Sequence, residues 1–228
     1  MINRPDVIAL DLDNTMYAYE PCHRAAMSFV SRELESRLDL PRSKWYTPYE
    51  ISKEDTKARL GRVASSHSRL TYFKGMLENL GMQSQIEIAL QLETLYWGEF
   101  IRQIQKSKNL DRFLETAREN GVPVVVVTDL TTGIQIRKLH KLGVTDMLSG
   151  LVTSEDVGFD KPDQRFRDYI VNQLGISGSH WWVVGDDKEK DGGFAETLTS
   201  SDFLHVSAEG NSIASFGQLS NLLRKFKL

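Results

Sequence analysis

Two rhythms of apolar residues divide this chain. The first is a short unbroken run, Val7-Ile8-Ala9-Leu10, which predicts a strand over Asp6–Leu10. From Glu20 the spacing changes. Ala26, Val30, Leu34 and Leu38 recur every fourth residue with Phe29 beside them, the stripe of an amphipathic helix. Asp39-Leu40-Pro41 ends it, because proline lacks an N–H and disfavours helix in the residue before it. Thr47-Pro48-Tyr49-Glu50 has the layout of a capping box with proline at the first helical position, and predicts the start of a second helix. A third is expected over Ser68–Leu80, stopping at Gly81. Ser84-Gln85-Ile86-Glu87 reads as another capping box. It would open a long helix with Ile86, Leu90, Trp97, Ile101 and Ile104 on one face. The stretch from roughly Met16 to Lys106 is therefore predicted to be helical, with no strand signal.

Beyond Leu110, helix and strand alternate. A helix Leu110–Asn120 ends at Gly121, and Val122–Val127 follows as a run of apolar residues. It is too continuous for a strand with one wet face and reads as a parallel strand covered on both sides. A helix Ile134–Leu142 ending at Gly143 and a short strand near Gly150–Thr153 come next. Then follow a helix Gln164–Leu174 that Asp163 can cap, a strand Trp181–Val184, and a helix from about Phe194. Strand Phe203–Val206 and helix Phe216–Phe226 complete the series. Alternation of this kind implies an α/β fold, an open parallel sheet with helices on both faces. The helical stretch separates the first strand from its partners. The economical arrangement is a core made of residues 1–16 and 107–228, with 17–106 inserted as a helical domain. No internal repeat, low-complexity tract or flexible linker interrupts this organisation.

Composition narrows the partners. A net charge of −3 gives no reason to expect nucleic acid or an anionic membrane, and no apolar stretch approaches the ~18 residues that span a bilayer. Asp6, Asp11 and Asp13 break the only early apolar run, so a signal peptide is not expected. The single cysteine, Cys22, excludes an internal disulfide and fits a reducing cytoplasm. It neighbours His23, but adjacent residues on a helix point in different directions, so Cys22 is read as a residue of the helix start. Monomer and homodimer both stay open.

The chemistry gathers where apolar runs end. Asp11 and Asp13 follow the first strand, and alternation along an extended segment points them the same way. Two carboxylates placed together repel, so a cation, a proton or both are shared. Val124–Val127 runs into Thr128-Asp129, and Trp181–Val184 runs into Gly185-Asp186-Asp187, with Asp191 four residues on. Lys161-Pro162-Asp163 occupies a loop. Open α/β sheets bind ligands at the carboxyl ends of their strands, so Asp11, Asp13, Thr128 and Asp186 would meet in one crevice. Several carboxylates against one lysine call for a divalent cation, and oxygen ligands without His or Cys favour Mg²⁺. Trp181 and Trp182 are expected to fill the sheet core.

These four stretches, in this order, resemble the motifs of the haloacid-dehalogenase-like (HAD) hydrolases: DxDxT after a buried strand, a hydroxyl ending the next, a lysine motif, and GDDxxxD. The resemblance implies a Rossmann-like core with an inserted α-helical type-1 cap. It also implies a phosphatase acting on a small phosphorylated metabolite, a sugar phosphate or a nucleotide. Asp11 would attack phosphorus to form an aspartyl-phosphate. Asp13 would protonate the leaving oxygen and then activate water. Mg²⁺ would be held by Asp11, Asp186 and the backbone carbonyl of Asp13. Thr128, Asp129 (through backbone N–H groups) and Lys161 would hold the phosphoryl oxygens, while Asp187 and Asp191 orient Lys161 and the metal's waters from behind. Relatives often carry a small-residue turn ending in glycine after the fourth motif, where this chain has Ala195-Glu196-Thr197-Leu198-Thr199; the local helix geometry is open there.

The second Asp argues for phosphate chemistry over carbon–halogen cleavage, which dispenses with it. A phosphomutase of the same family would use the same residues. A receiver-like signalling domain also clusters Asp, Thr and Lys around Mg²⁺, but has its acidic pair and phospho-acceptor on different strands and no helical insert. A silent binding protein would be expected to lack part of the set. Asp187–Gly192 imitates a calcium loop, yet its twelfth position is Leu198 where a Glu is needed, and Gly192-Gly193 has no GxGxxG frame. In the helical stretch, His67, Arg69 and Lys74, and the aromatics Trp45, Tyr46 and Tyr49, are the residues available to choose a substrate. The simpler expectation is that the aromatics seal the interface between cap and core and that the basic residues are solvated.

Overall fold

A computed structural model describes residues 2–208 and 214–226. The chain forms two compact units, Met1–Tyr19 with Gln105–Leu228, and Glu20–Ile104. In chain order the first strand, β1 (Val7–Leu10), is followed by helices α1 (Tyr19–Leu38), α2 (Arg42–Leu60), α3 (Arg69–Asn79) and α4 (Ile86–Gln103). Then come α5 (Leu110–Glu119), β2 (Val124–Thr128), α6 (Thr132–Leu142), β3 (Gly150–Thr153), α7 (Ser154–Val157) and α8 (Arg165–Asn172). β4 (Trp181–Gly185), α9 (Gly193–Glu196), β5 (Ser201–His205) and α10 (Phe216–Lys225) complete the chain. No helix among the described residues is long and apolar enough to cross a membrane.

The two-ended unit is a five-stranded parallel sheet in the order β3-β2-β1-β4-β5. β1 lies in the middle, with Leu10 registered against Val126 of β2 and Val184 of β4. All four residues of β1 and all five of β2 and β4 are buried, as expected of central parallel strands. On one face Val7, Ala9, Val125, Val127, Trp181 and Val183 pack with Phe166 of α8 and Phe194 of α9. Alternate residues on the other face, Ile8, Leu10, Val126, Trp182 and Val184, are equally buried. Successive strands are added to one side of β1 and then, from β4 on, to the other, so the crevice between β1 and β4 at their carboxyl ends is the topological switch point.

After β4 the chain makes a π turn, Lys188–Gly192, that runs directly into α9. This is the local geometry that the Ala195–Thr199 sequence left open. Phe194 and Ala195 bury into the core, which anchors the turn without a terminal glycine.

The helical unit corrects two expectations. α2 does not start at Thr47: it begins after Pro41 and continues through Pro48. Trp45, Tyr49, Ser52 and Thr56 share its buried face, and Trp45 and Tyr49 are almost fully enclosed. An interior proline costs about 3 kcal/mol. Burying two large aromatics one turn apart returns about 1.5–3 kcal/mol each, so packing outweighs the local stop signal. α4 begins at Ile86, but Gln85 at its N-cap makes no side-chain cap and the Ser84 box is not formed. Its buried face is Ala89, Leu92, Tyr96, Trp97 and Phe100, while Ile86 and Leu90 are 66% and 53% exposed. The three aromatics bury more area than the two aliphatics and set the rotation of the helix.

Tyr49, Tyr72, Phe73, Tyr96, Trp97 and Phe100 form a chain of ring contacts through this unit. Trp45 and Tyr49 therefore serve as core. Arg69 lies over the rings of Tyr72, Tyr96 and Trp97, and Lys74 pairs with Glu78 on the same helix. Cys22 is buried on α1.

Candidate active site

At the carboxyl end of β1 the Asp11 N–H still donates to the Val184 carbonyl at 2.8 Å, so this residue is fixed as an extension of the sheet. Its side chain is only 9% exposed and its carboxylate is gripped at both oxygens. Lys161 Nζ donates to Oδ1 at 2.7 Å, and the Thr15 hydroxyl donates to Oδ2 at 2.9 Å. The threonine of DxDxT thus sets the rotamer of the first aspartate.

Lys161 is fully enclosed and directs its ammonium at three acceptors: Asp11 Oδ1, Asp191 Oδ1 at 2.5 Å and the Val127 carbonyl at 3.0 Å. An ammonium has three donors, so any phosphate contact by Lys161 must replace one of these. Asp191 Oδ2 accepts from the Asp187 N–H at 3.1 Å. A Cβ on Gly185 would lie 2.0 Å from that same oxygen, so the glycine of the fourth motif makes room for the Asp191 carboxylate. Asp187 turns its own carboxylate to the N–H groups of Glu189 and Lys190 and caps the π turn. Asp186, half-buried, has its backbone carbonyl on His205 Nε2 at 2.9 Å.

Carboxylate oxygens of Asp11, Asp186 and Asp191 all lie within 4.8 Å of one another. Three carboxylates around one ammonium leave a formal charge of about −2. Hard oxygen donors, crowded and under-neutralised, suit a divalent cation of the magnesium or calcium type. The electrostatics carry the same message. Burial, then the neighbouring Asp191 charge against the pull of Lys161, leaves Asp11 raised to about 7. Burial and the Asp11 charge lift Asp186 to about 6, and burial raises Asp191. Lys161 loses solvation but gains Asp11, Asp191 and Asp129, and is held well above the ordinary lysine range.

Asp13 points into a different set of partners. Lys138 Nζ lies 2.7 Å from Oδ1 and 2.9 Å from Oδ2, the Tyr17 hydroxyl donates to Oδ1, and Gln135 Nε2 sits 3.4 Å from Oδ2. Burial pushes this carboxyl up, yet the Lys138 charge and these hydrogen bonds win and leave it below the usual carboxylate range. Gln135 Nε2 also donates to Thr128 Oγ1 and the Asp129 carbonyl, both at 2.7 Å. The Asp129 carboxylate takes the Lys161 N–H at 2.9 Å, the Ser154 hydroxyl at 3.1 Å and Lys190 Nζ at 2.7 Å. It organises the Lys161 loop, leaving its backbone as the part able to meet an anion.

The structure thus brings Asp11, Asp13, Thr128, Asp129, Lys161, Asp186 and Asp191 to one strand end, with Asp187 behind them. Sequence reasoning missed Tyr17, Gln135, Lys138, Lys190 and His205. One signal was available. Gln135, Lys138, Leu139 and Leu142 form the buried face of α6, so two long polar residues stand on an apolar stripe directly after Thr128-Asp129.

Comparison with known proteins shows the family. A family model described as haloacid dehalogenase-like hydrolase matches residues 5–197. The chain is 33% identical over 185 residues to the ribulose-1,5-bisphosphate 5-phosphatase of Halopiger xanaduensis, covering 81% of this chain and 77% of that one. It is 24% identical over 190 residues to the glyceraldehyde 3-phosphate phosphatase of Methanopyrus kandleri, covering 81% and 76%. Among solved structures, the 2-haloacid dehalogenase of Pseudomonas syringae pv. Tomato DC3000 shares the fold with a TM-score of 0.72 at 16% identity, over 98% of this chain and all of that one. The chain belongs to the haloacid dehalogenase-like hydrolase family.

Proposed function

We propose that this protein is a Mg²⁺-dependent phosphatase that hydrolyses a small sugar phosphate through an aspartyl-phosphate on Asp11. The observation that carries the reading is the split at the end of β1: Asp11 joins the carboxylate cluster and Lys161, while Asp13 is held apart by Lys138. One strand end thus offers a nucleophile beside a cation site and an acid–base group outside it. Relatives named as phosphatases of ribulose 1,5-bisphosphate and of glyceraldehyde 3-phosphate support a sugar phosphate over a nucleotide, and transfer to water over transfer to a sugar hydroxyl.

In the first step an Asp11 carboxylate oxygen attacks phosphorus. The ester P–O bond breaks, its electron pair stays on the leaving oxygen, and that oxygen takes a proton from Asp13. Lys138 holds the Asp13 carboxyl below the usual carboxylate range, so this proton arrives with the substrate monoanion, whose phosphate has a pKa of about 6. In the second step water attacks phosphorus and gives a proton to Asp13, and the bond to Asp11 breaks to release phosphate. Thr128 and the backbone around Asp129 hold the phosphoryl oxygens, and Lys161 keeps Asp11 and Asp191 in place. Asp11, Asp186 and Asp191 would hold Mg²⁺, with the Asp13 carbonyl as the family resemblance implies. When bound, the ion supplies the positive charge that keeps Asp11 ionised and lets two anions approach. Residues 17–106 would act as the family's inserted cap and set which ester enters, with 1–16 and 107–228 as the core domain.

The test is phosphate release from a panel of sugar phosphates and nucleotides by wild type and Asp11→Asn, with Mg²⁺ and with EDTA. The reading expects metal-dependent release from sugar phosphates that Asp11→Asn abolishes. Metal-independent release, or a variant as active as wild type, would refute it.

A further inference from the structure

The known motifs leave Lys138 unexplained. Its side chain has no solvent exposure, and both oxygens of Asp13 accept from its ammonium at 2.7 and 2.9 Å. The Tyr17 hydroxyl donates to the same carboxylate and Gln135 Nε2 lies 3.4 Å from it, and Tyr17 and Gln135 are themselves fully buried. Asp13 keeps 29% of its side chain open. The arrangement is a carboxylate clamped from behind and presented forward. Packing of α6 does not require it, since Leu139 and Leu142 already supply the buried apolar contact. A buried ammonium is costly unless its partner compensates, so the lysine at this position is matched to the carboxylate it holds.

The clamp also decides where Asp13 is not. Among the described residues the oxygens that could share a cation belong to Asp11, Asp186 and Asp191. A carboxylate held at both oxygens by Lys138 and Tyr17 is kept from swinging into that cluster.

We propose that Lys138, with Tyr17, positions Asp13 for proton transfer at the ester oxygen and keeps its carboxylate off the cation cluster. The inference rests on the phosphatase reading above. Lys138 acts through Asp13 and is a positioning residue. In the transfer step the ester P–O bond breaks and the leaving oxygen keeps the electron pair, so the Asp13 proton matters most when that oxygen is basic. p-Nitrophenolate departs as an anion and needs little of it, whereas the leaving oxygen of phenyl phosphate needs much more.

These two esters of nearly equal size make the test, with kcat/KM as the readout, because it stops at the first irreversible step and excludes water attack. Lys138→Met is expected to lose ~10²-fold more on phenyl phosphate than on p-nitrophenyl phosphate. Tyr17→Phe should shift the same ratio in the same direction by less. In an Asp13→Asn background, Lys138→Met should cause no added loss, the mark of residues acting as a unit. Equal losses on the two esters, or losses that add to Asp13→Asn, overturn the proposal while leaving the phosphatase reading intact. If Lys138→Met does not fold, the Tyr17→Phe ratio decides alone. A wild type that, with Mg²⁺, releases phosphate neither from these esters nor from the sugar phosphates named above removes the phosphatase reading, and this inference falls with it.

Discussion

Asp11 and Asp13 leave the same strand two residues apart, and each meets its own buried lysine, yet the two pairs are built on different charge balances. Lys161 divides itself between Asp11 and Asp191, with Asp186 close by. Lys138 gives its ammonium to both oxygens of Asp13. The first group is left short of positive charge and the second is balanced. Burial therefore raises Asp11, while Lys138 overrides burial and lowers Asp13. Opposite protonation tendencies from one dipeptide step follow from the neighbours, and they separate a cation-dependent nucleophile from an acid–base group.

Charge removal should break this contrast most sharply. Asp11→Asn is expected to lower kcat by ~10⁴-fold or more. In metal-free protein it should leave stability unchanged or improve it, because it relieves repulsion in the cluster. Asp13→Asn should lower kcat/KM on phenyl phosphate by ~10²–10⁴-fold. It should also destabilise by about 3 kcal/mol, because Lys138 is left buried without its carboxylate. Urea melts of the two variants in EDTA decide the matter, and a shared sign would erase the distinction between the pairs.

Cation addition sharpens the same contrast with a smaller effect. Mg²⁺ at a hundredfold excess over its Kd should stabilise wild type by about 2.7 kcal/mol. Asp186→Asn should lose that response and Asp13→Asn should keep it, as read from Tm with and without Mg²⁺. If Asp13→Asn abolishes the response instead, its carboxylate belongs to the cation site.

The contrast also shows in pH dependence. In EDTA, a carboxyl raised from 3.8 to about 7 binds more protons folded than unfolded across that window, so its contribution makes stability fall as pH rises from about 4 to about 7. Asp13 has the opposite sign: its contribution is present above its unfolded pKa and is lost as pH falls through its lowered folded value. Denaturation midpoints of wild type and Asp11→Asn between pH 4 and 7 should differ in slope, and Mg²⁺ should flatten the wild-type curve. Parallel slopes would contradict the raised Asp11.

Much of the core was legible because buried parallel strands announce themselves as unbroken apolar runs, and the site lies where those runs stop. Asp11, Thr128 and Asp186 needed no more than that. Lys161 was legible through its motif, although its loop gives no periodic signal. Lys138 was hidden for a physical reason: a lysine within an amphipathic helix reads as solvated, and its partner is 125 residues away. In the helical unit local signals misled where tertiary packing was stronger. Pro48 reads as a helix start, yet Trp45 and Tyr49 carry α2 through it, and the rotation of α4 follows Tyr96, Trp97 and Phe100 rather than Ile86 and Leu90.

The most direct test of the account is to trap the covalent species. Asp13→Asn should still accept phosphate from p-nitrophenyl phosphate, which needs little acid assistance, but should discharge it slowly for want of a base. Acid quenching after mixing with this ester and Mg²⁺, followed by peptide mass mapping, should find phosphate on Asp11 and on no other residue. Phosphate on a different side chain, or unimpaired turnover in Asp11→Asn, would contradict Asp11 as the nucleophile.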